Sequence, residues 1–366
     1  MDHLDNFTNT QMNLSSNFNT TNITDFVVNN STTTEKSLLY VVPGPLICIF
    51  GIVCNILNLC VLSQKILNDS PYIYLTALAV SDLTLLTISF IHLVSSKASG
   101  TFIKAFYDIY IFFTTANIFF NSSVWLVVVL TIERVLFVTR PLTFRPSKIK
   151  ARWCIAIVFL LCSVINIPRF FTYKITTAQI DHYYPQGTAF RKSELFYQVS
   201  WFHAMVINFV PFVTILVTNS VLVYGLHKAR KERVSLHSNQ EHSIKADQTR
   251  LTRTLVAVVV TFFICTVPSA FVDDPIAYSL FGEGRTWKDY IESPANQMFI
   301  HISNLLLFLN SSLNFLLYCS FNKKFRSATK SFFAKTRVCR RQTRLERQTS
   351  DNDNSSGSKR TNVTRL

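Results

Sequence analysis

The sequence predicts an all-α fold: seven helices bundled across a lipid bilayer, with an extracellular amino terminus and an amphipathic eighth helix on the cytoplasmic surface. Three observations predict it. The 366 residues are 49% hydrophobic and only 16% charged, against about 25% charge in an ordinary soluble domain. Apolar stretches of bilayer-spanning length, about 20 residues at 1.5 Å rise, recur along the chain. The basic residues collect on one set of the segments between them. Eight glycines against 32 phenylalanines further exclude Gly-rich nucleotide loops, collagen-like repeats and low-complexity polar chains. A net charge of +15 would suit a nucleic-acid binder, but basic residues interrupted by long apolar runs point to lipid and to no nucleic-acid partner.

The stretches run Tyr40–Leu62, Tyr72–Val94, Ala105–Val138, Trp153–Phe171, Tyr197–Leu226, Leu251–Phe281 and Gln297–Ser320. An unpaired backbone amide in hydrocarbon costs several kcal/mol, so each must be a helix rather than an open strand. This divides the chain into residues 1–39, a bundle over 40–320, a surface helix over 321–337 and a tail over 338–366. Only nine of the 36 Lys and Arg fall in residues 1–39, in the loops after the second, fourth and sixth stretches or, as Arg169 does, at the adjoining end of a stretch. The positive-inside rule then puts the amino terminus outside and the tail in the cytoplasm, as in a multi-pass plasma-membrane protein, with the basic face against anionic membrane lipids.

Residues 1–39 carry no apolar run resembling a signal peptide and read as disordered. Their Asn-x-Ser/Thr sequons at Asn6, Asn13, Asn19, Asn22, Asn29 and Asn30 become glycan acceptors if the segment reaches the secretory lumen. The cysteines, at positions 48, 54, 60, 154, 162, 265, 319 and 339, all sit in the spans or the tail. No Cys/His spacing suits a metal, and burial as small hydrophobes is the simplest reading of the intramembrane ones.

An ionisable group in hydrocarbon costs about 2.5–3.5 kcal/mol on insertion scales and must face the bundle interior. Asp82, deep in the second span, is the clearest case. Asn55, Ser123, Asn310 and Asn314 are its expected partners. Such a set suits a hydrated cation such as sodium, and a polar network that only fixes helix packing is the other reading.

Glu133-Arg134-Val135 closes the third span, and Gly51, Asn55, Leu78, Asp82, Pro211, Phe262, Pro268 and Asn314 through Tyr318, then Phe325, follow the same order as a known pattern. Residues 40–335 resemble rhodopsin-like G-protein-coupled receptors. Val124-Trp125-Leu126, Thr131 through Arg134, Asn166 through Phe170, Ser303 through Leu306 and Asn310 through Phe315 are similar to invertebrate FMRFamide-type neuropeptide receptors. The departures are Phe315 for the helix-seven proline, Thr266 for the helix-six tryptophan, Asn219 for the helix-five tyrosine and Gln248 for an occasional latching acid. The usual disulfide between helix three and the second outer loop cannot form, because Ile109 holds one position and residues 169–196 contain no cysteine. Phe170, Phe171, Tyr183 and Tyr184 are the expected substitutes, or the loop is mobile.

The resemblance implies a receptor for an extracellular ligand, with no enzymatic activity, that opens a cytoplasmic cavity to a heterotrimeric G protein. Arg134 and Tyr318 would line that cavity, Glu133, Phe262 and Pro268 would belong to the switch, and Lys228, Arg230, Arg250 and Arg253 would add basic surface. Ala116 and Phe308 stand where aminergic receptors and opsins need an acid and a lysine. The outer ends instead carry His92, Tyr110, Phe113, Asn117, His203, Tyr278, His301 and Asn304, with Asp273 and Asp274 beyond Pro268. An amidated, FMRFamide-like peptide suits this set, its cation pairing with Asp273 or Asp274; Glu283, Asp289 and Glu292 read as a solvated acidic loop. A chemosensory receptor for a small molecule and a transporter are the alternatives. Phe321, Phe325, Phe332 and Phe333, interleaved with Lys323, Lys324, Arg326 and Lys330, form the surface helix, and Cys339 is a palmitoylation candidate. The tail offers Ser and Thr for phosphorylation and arrestin capture, and Thr364-Arg365-Leu366 matches a PDZ ligand.

Overall fold

The computed structural model describes residues 42–140, 143–179, 182–233, 256–257, 259–269, 271–272, 280–282, 284, 289–290 and 293–335. The six sequons, Cys339, the carboxyl-terminal triplet, Gln248, Arg250, Arg253, Asp273, Asp274 and Tyr278 lie outside these residues. Six helices are long and apolar enough to cross a membrane: α1 Pro43–Leu62, α2 Ser70–Val94, α3 Phe102–Thr139, α4 Lys148–Phe171, α5 Glu194–Gly225 and α7 Pro294–Phe321. The apolar helix α6, Val259–Ser269, is the described part of the remaining span. The chain is thus the seven-helix bundle its hydropathy predicts. A last helix, α8, covers residues 323–335 after a break at Asn322.

Local chemistry sets the helix starts. Pro43, Pro71 and Pro294 occupy the first turns of α1, α2 and α7, where a missing N–H costs nothing. The hydroxyls of Thr101, Ser193 and Ser293 accept from the backbone N–H three residues on, capping α3, α5 and α7. Two helices carry a widened π turn, Tyr107–Phe112 in α3 and Met205–Phe209 in α5. The second precedes Pro211, whose ring would clash with the Ile207 carbonyl in a regular helix.

α1 packs on α2 and α7, and α3 runs through the centre against α2, α4 and α5. A Cβ at Gly51 would lie 2.6 Å from Leu86 Cδ1 and 2.9 Å from Ser312 Cβ, so only glycine admits this approach of α1. The core holds Val61, Leu75, Leu126, Val128, Ile215, Tyr318 and Phe325, all nearly inaccessible. Apolar side chains also face outward: Trp153 is 67% exposed, and Ile157, Leu160, Leu161 and Val164 on α4 are similarly bare. Such a band requires lipid as its solvent.

Beyond the all-α expectation, the loop between α4 and α5 folds into an antiparallel hairpin, β1 Tyr173–Gln179 with β2 His182–Gly187. Tyr183 N donates to Gly100 O at 2.7 Å, and the Tyr183 ring meets Phe102 edge-on at 5.5 Å. Gly100 adopts φ of 89° and lies beneath the His182 ring, 3.0 Å from a would-be Cβ. The hairpin is thus fastened to the α2–α3 turn without a disulfide. Phe170 and Phe171 do not serve as expected. They end α4 with Phe171 62% exposed, because the turn Ile167–Phe171 points that ring outward.

Candidate functional site

Two polar groups stand at the hairpin end of the bundle. In the first, the π turn of α3 brings Asp108 toward α2, where His92 Nδ1 is 2.8 Å from Asp108 Oδ1. Lys104 Nζ, one helical turn earlier and nearly buried, reaches the same oxygen at 2.5 Å and the His92 carbonyl at 3.1 Å. The His92 ring lies flat on Phe112, centroids 3.9 Å apart. A buried ammonium is stable here only because the carboxylate neutralises it.

The second group joins α3, α4 and α5. His203, buried on α5, lies 3.4 Å from Asn121 Nδ2 through Nε2, and Arg169 approaches both ring nitrogens at 3.4 and 3.5 Å. Arg169 also bonds Asn166 Oδ1 at 3.1 Å and sits 5.3 Å above the Phe113 ring. Phe113 in turn meets Tyr173 of β1 edge-on at 5.5 Å. Adjacent on α3, Phe112 and Phe113 carry the two groups on neighbouring faces of one helix.

The structure distributes the remaining candidates unevenly. Tyr110 packs on Phe106 at 5.2 Å rather than on the His92 group. Asn117 turns back to its own helix, donating to Phe113 O at 2.6 Å. His301 and Asn304 are half-buried on α7, three residues apart. Asp108, Lys104, Arg169 and Tyr173 were absent from the expected set. For Asp108 the signal was present, since it is an ionisable residue inside a span, the criterion that singles out Asp82.

Mid-bundle, Asp82 is fully buried. It accepts from Ser123 Oγ at 3.0 Å and from Asn314 Nδ2 at 2.7 Å, and Ser311 adjoins the same carboxylate. Asn55 lies one layer away, donating to Gly51 O at 3.0 Å and Ser311 O at 2.9 Å. Asn310 does not join. Among the described residues it makes no hydrogen bond to Asp82, since one residue of helix is about 100° of rotation and Ser311 occupies the facing position.

At the opposite end, Arg134 is 2% exposed and donates to Glu133 Oε1 at 2.9 Å. Glu133 Oε2 accepts from Ser70 Oγ of α2 at 2.9 Å. The Arg134 guanidinium lies 5.6 Å over Phe137. Tyr318 is buried against Phe325 of α8 at 5.5 Å, and Phe315, in place of a proline, meets the same ring at 5.9 Å. Phe262 is buried on α6 beside Phe263, which contacts Phe212 of α5 at 4.6 Å. Lys324 Nζ pairs with Asp69 at 2.7 Å, fastening α8 to the α1–α2 turn. Arg134 and Tyr318 therefore lie inside the bundle, not on an open cavity.

Residues 54–318 match the family model of the 7 transmembrane receptor (rhodopsin family). A probable G-protein coupled receptor of Caenorhabditis elegans is 27% identical over 324 residues, covering 81% of this chain and 70% of its own length. An FMRFamide receptor of Drosophila melanogaster is 27% identical over 312 residues, 80% of this chain and 53% of its own. An FMRFamide peptide receptor of Caenorhabditis elegans is 26% identical over 318 residues, 80% of this chain and 68% of its own. The chain thus spans about half of the fly receptor. A match over most of the chain, on a bundle that carries the buried Glu133-Arg134 pair and Asp82, assigns the protein: it belongs to the rhodopsin family of seven-transmembrane receptors.

Proposed function

We propose that this receptor stands in the plasma membrane with the hairpin end outside, binds an amidated peptide bearing a cation and aromatic rings, and activates a heterotrimeric G protein at the Arg134 end. The observation that carries the ligand is the make-up of the hairpin end. The rings of Phe112, Phe113 and Tyr173 lie on adjoining faces there to receive aromatic side chains, while Asp108 is already neutralised by Lys104. Two relatives named as FMRFamide receptors support the same class. Asp273 and Asp274 remain the proposed partners for the ligand cation.

Signalling on this reading is a population shift. An agonist must bind the active arrangement better than the resting one, since equal affinity shifts nothing. Pro268 removes one backbone hydrogen bond from α6 and weakens it there, so its far end can swing outward and release Arg134 toward a G-protein helix. Asp82, Ser123, Asn314 and Ser311 would hold a sodium ion that favours the resting arrangement. α8 and the tail would face lipid and arrestin.

Guanine-nucleotide exchange in membranes, measured with a panel of amidated peptides and a panel of small odorants, tests the reading. An Arg-Phe-amide peptide is expected to stimulate exchange. Joint Asp273→Asn and Asp274→Asn substitution should lower its potency by about tenfold or more, with surface expression held. Stimulation by odorants alone would replace the peptide with a small-molecule ligand.

A further inference from the structure

The hairpin has two outer edges, and its register decides what each offers. In an antiparallel ladder the residue pairs alternate, one pair directing its main-chain N–H and C=O inward and the next directing them away. Thr188 N donates to Thr172 O at 3.1 Å, which places Lys174–Gln186 and Thr176–Tyr184 in the inward class. Tyr183 N donates outward, to Gly100 O. The pairs Tyr173–Gly187, Ile175–Pro185 and Thr177–Tyr183 therefore turn their main-chain groups away from the ladder.

The edges are consequently unequal. On β2, Gly100 takes the Tyr183 N–H and Pro185 has none, so Gly187 holds the one remaining outward N–H of that edge and the row of donors is broken. On β1, Ile175 and Thr177 each present an outward N–H and C=O, and none of these takes a hydrogen bond among the described residues. A strand edge left in this condition is a template for another extended chain. It is also continuous with the candidate site. Tyr173, two residues before Ile175, rests on Phe113, and alternation puts Ile175 on that same face while Lys174 is exposed on the other.

We propose that the outer edge of β1 receives the peptide agonist as a third, antiparallel strand, its main chain bonded to Ile175 and Thr177. The inference rests on the peptide reading above. A peptide is the fitting occupant because the edge offers donors and acceptors at main-chain spacing, which a small odorant has no row of amides to match. The peptide residue opposite Ile175 then projects toward Phe113, and its neighbours project toward Lys174.

Thr177→Pro tests this selectively. It deletes an outward N–H while leaving the inward ladder bonds intact, and proline is tolerated at such edge positions; Thr177→Ala controls for the side chain. With Phe-Met-Arg-Phe-amide as the probe on the full-length receptor, Thr177→Pro should raise the half-maximal concentration about tenfold and Thr177→Ala less than about twofold. Hydrogen exchange on the wild-type receptor in nanodiscs should show slowed exchange at the Ile175 and Thr177 amides when the peptide is added. This second measurement decides the matter should the proline variant fail to reach the surface. Unchanged potency in Thr177→Pro, or unchanged exchange at both amides under saturating peptide, overturns strand addition and leaves the peptide reading standing. A wild-type receptor that neither binds nor answers the peptide overturns that reading and this one with it.

Discussion

Asp108 and Lys104 show what one ion pair does inside a membrane-spanning helix. Lys104 is nearly inaccessible, and its ammonium has Asp108 Oδ1 at 2.5 Å. Asp108→Asn leaves that ammonium without its counter-charge. Breaking such a pair costs about 3–5 kcal/mol when both partners are buried; because Asp108 is 29% exposed, the lower end, about 3 kcal/mol, is expected. Thermal unfolding of the purified receptor should show a correspondingly lower midpoint, and the joint Lys104→Met, Asp108→Leu change should restore most of it. Asp82 was legible from sequence because it interrupts a long apolar run. Lys104 counted as a loop charge just before its span, so the pair four residues apart escaped notice. Ser311 escaped for another reason: residue type favoured Asn310, and only the rotation of α7 shows which side chain reaches Asp82.

For the elements, hydropathy placed the six long helices to within a few residues, since lipid-facing composition is written along each span, whereas the sixth stretch, Leu251–Phe281, contains a turn at Phe271 and Val272, just past the end of α6 at Ser269. The π turn at Met205–Phe209 has a visible cause in Pro211, whereas nothing in the sequence signals the one at Tyr107–Phe112. The cysteine positions ruled out a bridge from α3 to the loop between α4 and α5, but did not say what would replace it. Two backbones meeting at Gly100 and Tyr183 leave no compositional trace. All seven described cysteines are free thiols. Millimolar dithiothreitol should therefore leave agonist potency within about twofold of its untreated value. A receptor relying on such a bridge would forfeit about 2–4 kcal/mol of restraint.

On the scale of the whole molecule, Ser70, Glu133 and Arg134 are linked in series and Arg134 is buried among the described residues. That is the arrangement a sodium ion at Asp82 would favour, so replacing sodium with choline in binding assays should raise agonist affinity about fivefold or more. In Asp82→Asn the two salts should give the same affinity. The outward side of α4 is more than half exposed along Trp153, Ile157, Leu160 and Val164, and the indole of Trp153 is the least sheltered of these side chains. That indole is a fluorophore turned toward the surrounding lipid, so brominated acyl tails should dim it by collision, giving the receptor its own optical gauge of the bilayer it inhabits.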